Sequence, residues 1–177
     1  MKTVYFLRGL QASGKTTWAK KQLAALNSGG KTRAVRTNKD EIRTRLRAKG
    51  GASESRVIQR ETELVTNALR AGLDVIIDNT HFNPIHELRY RDLAKEYGHA
   101  FEIVSFTNVP LQECIRRDQK RRKKCVGENA IRKMDIYRKS WSSGAVAALK
   151  KRLATKKAAA AKTAAAAAKR SQKKAAE

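Results

Sequence analysis

The chain has few cysteines, few acidic residues and no long apolar run, and these shortages exclude several classes of protein. Cys114 and Cys125 cannot form a framework of several disulfides, and their spacing matches no metal-binding motif. Two thiols in the reduced state are typical of a cytoplasmic protein. No apolar segment reaches the length of a signal-peptide core or of a membrane span, so we expect neither secretion nor membrane insertion.

The shortage of acidic residues is the most informative of these features. Against 40 Lys and Arg stand 16 Asp and Glu, which gives a formal net charge of +24 at pH 7. A charge of this size favours polyanionic partners, and nucleic acid is the first candidate. The length of 177 residues predicts one domain with room for an appended segment.

The composition changes near the sequence "SSG" at 142–144. We therefore expect a domain over residues 1–141 and a basic Ala/Lys-rich tail over residues 142–177. Ala and Lys favour a helix, but a segment with few bulky apolar residues cannot bury a core, so the tail is predicted to be flexible or helical. Its spaced lysines either contact nucleic-acid phosphates nonspecifically or only keep the chain soluble.

Apolar, β-branched runs alternate with helical segments along the first 141 residues. The runs "KTVYFLRG", "TRAVRTN", "LDVIIDNT" and "AFEIVSFTNV" predict four strands. Helices are predicted over 15–25, 40–49, 53–71 and 84–97, and two more from near residues 110 and 128. This alternation predicts an α/β fold, a parallel sheet flanked by helices. Such sheets bind ligands beyond the carboxyl ends of their strands, so the residues that follow each strand are the functional candidates.

The segment "GLQASGKTT" follows the first strand and fits the pattern G-x-x-x-x-G-K-[ST]. In such a P-loop, backbone N–H groups of the loop and of the next helix point into one concavity and bind phosphates. We expect Lys15 at the β- and γ-phosphates of ATP and the Thr16 hydroxyl at Mg²⁺. The predicted ATP-binding residues are Gly9, Ala12, Ser13, Gly14, Lys15, Thr16 and Thr17.

Two absences narrow the class of nucleotide-binding protein. No N-K-x-D motif follows a later strand, as guanine recognition by a GTPase requires, and the chain is short for a motor or helicase ATPase. A small phosphotransferase with ATP and Mg²⁺ as cofactors fits better.

Polar residues after the second and third strands form a candidate acceptor side. In "NKDEIR", Asp40 at a helix start can accept the proton of an acceptor hydroxyl, and Arg43 on the same helix face can bind an acceptor phosphate. The alternative is an Asp that only caps the helix and an Arg that faces solvent. In "VIIDNT", Asp78 is a candidate ligand of Mg²⁺ or of a metal-bound water, and Asn79 and Thr80 are candidate acceptor contacts.

The segment "CIRRDQKRRKKC" over 114–125 carries seven Lys and Arg residues and is predicted to lie between two helices, where a lid would hinge. A mobile arginine in a lid can neutralise charge that develops on the transferring phosphoryl group. The alternative is a solvated basic face that attracts nucleic acid, and different residues of the segment can fill each role.

The segments "GLQASGKTTWAK", "NKDEIR", "VIIDNTHFNP", "LAKEYG" and "IRRDQKR…IRKM" together resemble the 5′-kinase domain of phage polynucleotide kinase-phosphatase, within a P-loop kinase group that includes zeta toxins. The resemblance covers about residues 2–140 and implies a parallel sheet with a helical lid. It implies that Asp40 is the general base on a 5′-hydroxyl and that Arg43 holds the next phosphate of the acceptor. The further residues it assigns are Arg117 and Arg121 for the transferring phosphate, and Asn79, Thr80 and Val126 for the acceptor.

The chain departs from this family in two places. It has no D-x-D-G-T segment, so we expect no 3′-phosphatase activity. It also has "DNT" where the phage enzyme has "SDT", which leaves the position of the carboxylate open. If the chain is phage-encoded, the expected location is the host cytoplasm.

Three functions remain open at this point. The favoured one is an ATP-dependent kinase of the 5′-hydroxyl end of DNA or RNA, because the candidate base, P-loop and basic segment occur on a chain of net charge +24. The second is a related kinase that acts on a hydroxymethylated base within DNA or on a small molecule. The third is a DNA-binding protein whose P-loop is vestigial or regulatory.

Overall fold

A computed structural model describes residues 1–48, 50–121, 125–141, 147–149, 151–155 and 159. The chain divides into two compact units, Met1–Arg138 and Lys139–Glu177. Most of the predicted tail lies outside the described residues, and within it residues 147–149 and 151–155 are helical. None of the helices in the described parts of the chain is long and apolar enough to span a membrane.

The described residues confirm the predicted alternation of strands and helices. In chain order the elements are β1 (Thr3–Arg8), α1 (Lys15–Leu26), β2 (Ala34–Thr37), α2 (Lys39–Arg47), α3 (Glu54–Arg70), β3 (Asp74–Ile77), α4 (Pro84–Glu96), β4 (Ala100–Ser105), α5 (Leu111–Gln119) and α6 (Glu128–Ser140). The α/β fold class with a parallel sheet flanked by helices is therefore confirmed.

The four strands form one parallel sheet in the order β2-β3-β1-β4. β1 lies between β3 and β4, with Val4 opposite Val75 on one side and Phe101 on the other. The carboxyl ends of β1 and β3 consequently meet near the middle of one sheet edge. This is the edge at which parallel sheets of this type bind their ligands.

Alternate residues of β1 build the core on opposite faces of the sheet. Val4 and Phe6 are fully buried in a cluster with Val65 of α3, whereas Leu7 packs with Ala19 of α1 on the other face. Burial of a side chain of this size contributes about 1.5–3 kcal/mol. Both faces of the central strand are therefore anchored, which fixes the position of the loop that follows it.

The basic segment 114–125 corrects one expectation. Residues 114–119 belong to α5, so the segment does not lie wholly between helices. The pattern of burial explains why, because Cys114, Ile115 and Asp118 form one buried stripe at helical spacing. Lys120 and Arg121 follow the helix, and residues 122–124 lie outside the described part of the chain.

Candidate active site

The loop between β1 and α1 makes a tight turn at which glycine is required. Gly9 has a φ of 158°, and a Cβ there would lie 2.8 Å from both the Phe106 Cβ and the Ser13 Oγ. Gly14 has a φ of 107°, which L side chains rarely adopt. The Gly9 N–H donates to the Thr80 carbonyl oxygen at 3.2 Å, so the loop is tied to the residues that follow β3.

The N-terminus of α1 is left open to an anion. Gly14 is the N-cap residue and offers no side-chain cap, and the first turn contains no acidic residue. The first N–H groups of the helix and its positive dipole end therefore remain available for a phosphate. Thr16 and Thr17 are exposed in this first turn, and Ala12 lies in the loop with a φ of 61°. This arrangement fits the polyphosphate of a nucleotide.

Lys15 lies buried within the loop. Its Nζ donates to the carbonyl oxygens of Gly9 at 2.9 Å and Leu10 at 2.6 Å, and to the Ser13 hydroxyl at 3.3 Å. Burial lowers the pKa of Lys15 to about 8, although the Asp78 carboxylate opposes this shift. A polyphosphate offers the ammonium group a stronger acceptor than a carbonyl oxygen does.

Asp78, the predicted metal ligand, is buried and already carries one charged partner. Arg36 of β2 donates to its Oδ2 through Nε at 3.0 Å and Nη2 at 2.7 Å. The described residues contain no cluster of three His, Cys, Asp or Glu side chains that could hold a metal ion. Mg²⁺ in phosphotransferases usually takes only one or two protein ligands besides phosphate oxygens and water. Thr16 and the second oxygen of Asp78 fit that mode.

Two asparagines fix the start of α2 against the end of β3. Asn38 is the N-cap residue, and its Oδ1 accepts the N–H group of Asp40 at 3.1 Å while its Nδ2 donates to the Asp78 carbonyl oxygen at 2.6 Å. The Asn79 Oδ1 accepts the N–H group of Lys39 at 2.9 Å. The N-cap residue of α2 is thus Asn38 and not Asp40.

Asp40 and Arg43 lie next to each other at the start of α2. The Asp40 side chain is 88% exposed and forms an ion pair with Arg43, one helical turn away. The Arg43 Nη2 also donates to Glu54 Oε2 of α3 at 2.8 Å. The hydrogen bond to Glu54, and then that to Asp40, raise the pKa of Arg43 despite its partial burial. A charged guanidinium and an accessible carboxylate are therefore held together.

Asn79 is bonded to protein at both ends of its amide. Besides accepting the Lys39 N–H, it donates from Nδ2 to Glu61 Oε1 at 2.7 Å and to His81 Nε2 at 3.2 Å. Glu61 is fully buried, and its Oε2 accepts the Tyr90 hydroxyl at 2.7 Å. Burial and the Glu61 carboxylate raise the pKa of Tyr90, so the phenol remains a donor. This geometry gives Asn79 a role in positioning α2.

His81 is a neutral, buried member of the same network. Its ring stacks on Phe6 with centroids 4.0 Å apart, and its Nδ1 lies 3.0 Å from the Leu7 carbonyl oxygen. A carbonyl oxygen only accepts, so Nδ1 carries the proton and Nε2 accepts from Asn79. Burial lowers the pKa of His81 well below its usual range.

The arginines of the basic segment approach the phosphate-binding loop. Arg117 donates from Nη1 to the Ser13 carbonyl oxygen at 3.4 Å and from Nε to Glu113 Oε1 at 2.6 Å. Arg121 lies close enough for its charge to lower the pKa of Lys15 further. Arg117 thus contacts the loop directly, whereas Arg121 follows α5 and acts on Lys15 through its charge.

Asp118 connects α5 to the residues that follow the basic segment. It is buried, and its Oδ2 accepts the N–H groups of Val126 and Gly127 at 2.9 Å each. Its Oδ1 lies 3.8 Å from the Arg121 Nη1. The carboxylate thus links both sides of the segment that carries Arg121. Val126, a predicted acceptor contact, is 49% exposed beside it.

The predicted residues form two groups at the carboxyl edge of the sheet. One group surrounds the loop with Lys15, Asp78 and the two arginines, and the other is the pair Asp40 and Arg43. Within the described residues no hydrogen bond or ion pair joins the second group to the loop. Thr80 is half-buried, and its backbone carbonyl accepts the Gly9 N–H group of the loop.

Sequence reasoning missed three buried groups of the site, Arg36, Glu61 and His81. Glu61 occupies the same helical stripe as Val57 and Val65, so an acidic residue on an apolar face was the available signal. Arg36 follows the apolar residues Ala34 and Val35 in β2 and is a comparable signal. A charged residue at a core position requires a partner, and here each supports the ends of β2 and β3.

Comparisons with known proteins agree with this geometry. Residues 4–140 match the model of a family described as an AAA domain, AAA_33. The APS kinase CysC of Mycobacterium tuberculosis, solved in complex with AMPPNP and APS, is 25% identical with a TM-score of 0.55, over 67% of this chain and 69% of that chain. A protein of the same general fold, APE1195, is 27% identical with a TM-score of 0.53 over 67% of both chains.

A chain of the Pnkp1/Rnl/Hen1 RNA repair complex is also similar. It is 25% identical with a TM-score of 0.60 over 75% of this chain. The match spans only 42% of that protein's length. Because the family match extends over most of the sequence and the site has the phosphate-binding loop of the kinases it resembles, the chain belongs to the AAA domain family AAA_33 and is a P-loop kinase.

Proposed function

We propose that this P-loop kinase transfers the γ-phosphate of ATP to the 5′-hydroxyl end of a polynucleotide. The observation that carries the proposal is the pair of Asp40 and Arg43 at the exposed start of α2, on the sheet edge that also holds the phosphate-binding loop. A carboxylate there can accept the acceptor hydroxyl's proton while the guanidinium binds a phosphate. A hydroxyl close to a phosphate is what the 5′ end of a nucleic acid presents.

The loop side supplies the donor half of the reaction. The open N-terminus of α1 and the Lys15 ammonium would hold the β- and γ-phosphates, and Mg²⁺ at Thr16 and Asp78 would neutralise part of their charge when bound. Arg117, which already reaches the loop, and Arg121 would neutralise the charge of the transferring group. In this proposal Asp40 is the general base and Arg43 binds the acceptor phosphate. Arg117 and Arg121 stabilise the charge of the transferring group.

Charge and similarity support a nucleic-acid acceptor. The net charge of +24 favours a polyanion, and one similar chain is part of a complex described as an RNA repair complex. Asn79 would act indirectly, because its amide holds Lys39 and Glu61. Thr80 and Val126 remain proposed acceptor contacts.

A small-molecule acceptor is the second candidate. The similar APS kinase was solved with APS bound, and this chain covers 69% of it. The high positive charge disfavours a small acceptor, since such a substrate uses only a few of the cationic groups. A hydroxymethylated base within DNA is the remaining alternative for the same catalytic residues.

The Ala/Lys-rich tail is proposed to add nonspecific affinity for the phosphate backbone. Removal of residues 145–177 deletes ten Lys and Arg residues. We expect the deletion to weaken DNA binding and to reduce its salt dependence, but to leave phosphotransfer to a short oligonucleotide intact. Loss of both properties would contradict this division.

The proposed function is tested by phosphotransfer from γ-labelled ATP to three acceptors: a 5′-hydroxyl oligonucleotide, its 5′-phosphorylated counterpart and APS. We expect label only on the first. Asp40→Asn should lower kcat by about 100-fold or more, because it removes the base, and leave the KM for ATP unchanged, because Asp40 makes no hydrogen bond to the phosphate-binding loop within the described residues. Glu96→Gln, on an exposed position of α4, is the charge-matched control. Full activity of Asp40→Asn, or label on APS alone, would rule the proposal out.

A further inference from the structure

A groove of about 790 Å³ runs along α3 beside α4, outside the site described above. One wall is formed by polar side chains of α3, and Arg89 of α4 stands opposite them. The polar wall consists of Ser55, Gln59, Thr62, Thr66 and Asn67. Ser55, Gln59, Thr62 and Thr66 recur every three or four positions and Asn67 follows Thr66, so these residues form one polar stripe along the helix.

The groove begins at the proposed acceptor side. Its first residue, Ser55, follows Glu54, which accepts a hydrogen bond from Arg43 at 2.8 Å. Glu54 Oε1 also lies 3.9 Å from the Lys39 Nζ. A strand whose first phosphate is bound by Arg43 therefore lies beside the turn of α3 at which the groove begins.

The charges along the groove suit a polyanion. Arg89 is half-buried in the wall, and no ion pair engages it within the described residues. The carboxylate in the wall belongs to Glu63, whose two oxygens are occupied by Gln59 Nε2 and Arg60 Nη1 at 3.1 Å each. The negative charge is thus compensated, while the positive charge of Arg89 is not.

The length of the groove sets the number of nucleotides that it can hold. At a rise of 1.5 Å per residue, the stripe from residue 55 to residue 67 is about 18 Å long. At a rise of about 3.4 Å per nucleotide along the axis of a stacked strand, this length accommodates about five nucleotides. The Thr62 hydroxyl already donates to the Ile58 carbonyl oxygen at 2.9 Å, so Thr66 and Asn67 are the side chains that suit phosphate and sugar oxygens. The apolar Ile58 in the wall suits a sugar or base face.

We infer that the groove between α3 and α4 binds the nucleotides that follow the acceptor's first phosphate, so that the protein recognises a single strand of about six nucleotides rather than its end alone. The inference rests on the proposed function and specifies its substrate. The contacts go to phosphates, sugars and ring faces, so recognition in the groove is independent of base sequence.

The experiment measures kcat and KM for 5′-hydroxyl oligonucleotides of increasing length, from a dinucleotide to a decanucleotide. For the unaltered full-length chain, KM should fall with length and become constant at about six nucleotides. Arg89→Gln should raise the KM for the decanucleotide by about three- to tenfold and leave kcat and the KM for the dinucleotide unchanged. It should also reduce, by about one, the slope of the logarithm of the decanucleotide's affinity against the logarithm of salt concentration. The matched control is Lys95→Gln, which removes the same charge from an exposed position in the last turn of α4.

Asn67→Asp supplies a second variant that does not alter Arg89. It places a negative charge at the far end of the groove, so it should weaken only those acceptors that are long enough to reach it. The inference would be overturned if the acceptor KM did not depend on oligonucleotide length, or if Arg89→Gln and Lys95→Gln had equal effects. The proposed function would still stand in that case, provided that the dinucleotide is phosphorylated. Absence of transfer to every 5′-hydroxyl end would overturn both.

Discussion

Arg36 binds a single carboxylate oxygen of Asp78 through two of its nitrogens, at 3.0 and 2.7 Å. The Arg36 side chain is 9% exposed and that of Asp78 only 1%. The remaining Nη1 donates to Glu41 Oε1 of α2 at 2.8 Å. One guanidinium thus joins the end of β3, which supplies the predicted metal ligand, to the helix that carries the predicted base.

Removal of Arg36 is expected to destabilise the fold strongly. Arg36→Met leaves the buried Asp78 carboxylate unpaired, which should lower the free energy of unfolding by about 3 kcal/mol or more. Urea denaturation measures this change, and Arg60→Met, which breaks the exposed pair with Glu63, is the control, expected to cost under about 1 kcal/mol. In the double variant with Asp78→Asn, part of the loss should be recovered, because no buried charge remains. Equal costs for Arg36→Met and Arg60→Met would contradict this account.

The affinity for ATP is expected to fall above pH 8 because Lys15 is buried. With a pKa of about 8 in the free protein, about nine in ten molecules hold a neutral Lys15 at pH 9, whereas the bound polyphosphate favours the charged form. Binding at pH 9 therefore requires proton uptake, and the Kd for ATP should rise about tenfold between pH 7 and pH 9. Titration calorimetry in buffers of different ionisation enthalpy measures both the Kd and the proton uptake. Lys15→Met should bind weakly with no such pH dependence, whereas Lys20→Met at an exposed position of α1 should retain it.

Lys15 affects the stability of the fold in the opposite direction: a rise in pH weakens ATP binding but should raise the free energy of unfolding. Its pKa is depressed in the folded chain, so between about pH 8 and its usual value near 10.5 the unfolded chain binds more protons than the folded one. The Lys15 contribution to the free energy of unfolding of the nucleotide-free protein should therefore rise over this range. Comparison with Lys15→Met, in which this contribution is absent, isolates it from other titrating groups.

Alanine substitutions at Gly9 and Gly98 distinguish the effect of a steric clash from the effect of backbone strain. Gly9→Ala places a Cβ 2.8 Å from Phe106 and Ser13, so we expect a loss of about 1–3 kcal/mol in unfolding free energy together with loss of ATP binding. Gly98 has a φ of 69° with open space around it, so Gly98→Ala should cost about 1 kcal/mol and leave ATP binding intact. Thermal unfolding with and without ATP measures both effects. If Gly9→Ala kept its ATP-induced stabilisation, the close fit of the loop would be irrelevant to binding.

Local patterns in the sequence predicted the elements and the phosphate-binding loop, since apolar alternation and the positions of Gly9 and Gly14 act within a few residues. The strand order β2-β3-β1-β4 depends on pairs such as Val4 with Val75, and a local pattern carries no information about them. The fold class was therefore predictable, but the neighbours of each strand were not.

The candidate site shows the same division. Asp40 and Arg43 are three residues apart on one helix, and their proximity followed from helical geometry. The surroundings of Asp78 and Asn79 depend on Arg36 and Glu61, which arrive from other elements. A buried charge is satisfied by whichever partner the tertiary structure brings to it, so the positioning role of Asn79 was not accessible from "DNT" alone.

Glu61, although buried in the core, is expected to affect acceptor binding because it holds the start of α2 in place through Asn79. It is fully buried, with Oε1 bound by Asn79 at 2.7 Å and Oε2 by Tyr90 at 2.7 Å, and the Lys39 Nζ lies 3.9 Å from Oε2. Glu61→Gln keeps the shape but replaces one acceptor with a donor, so one of these donors loses its partner at a cost of about 1–3 kcal/mol. Since Asn79 holds the Lys39 N–H, the start of α2 should also loosen.

Kinetics distinguish this positioning role from a general loss of stability. Glu61→Gln should raise the KM for the 5′-hydroxyl acceptor several-fold and leave the KM for ATP unchanged, because the loop between β1 and α1 makes no hydrogen bond to Glu61 in the described residues. Tyr90→Phe removes the hydroxyl that donates to Glu61 Oε2. A double-mutant cycle of Glu61→Gln and Tyr90→Phe should show a coupling of about 1 kcal/mol or more in the free energy of unfolding. Glu96→Gln on the surface of α4 should change none of these quantities. Equal increases in both KM values would mean that Glu61 stabilises the fold without orienting α2, because a positioning residue affects only the substrate whose binding helix it holds.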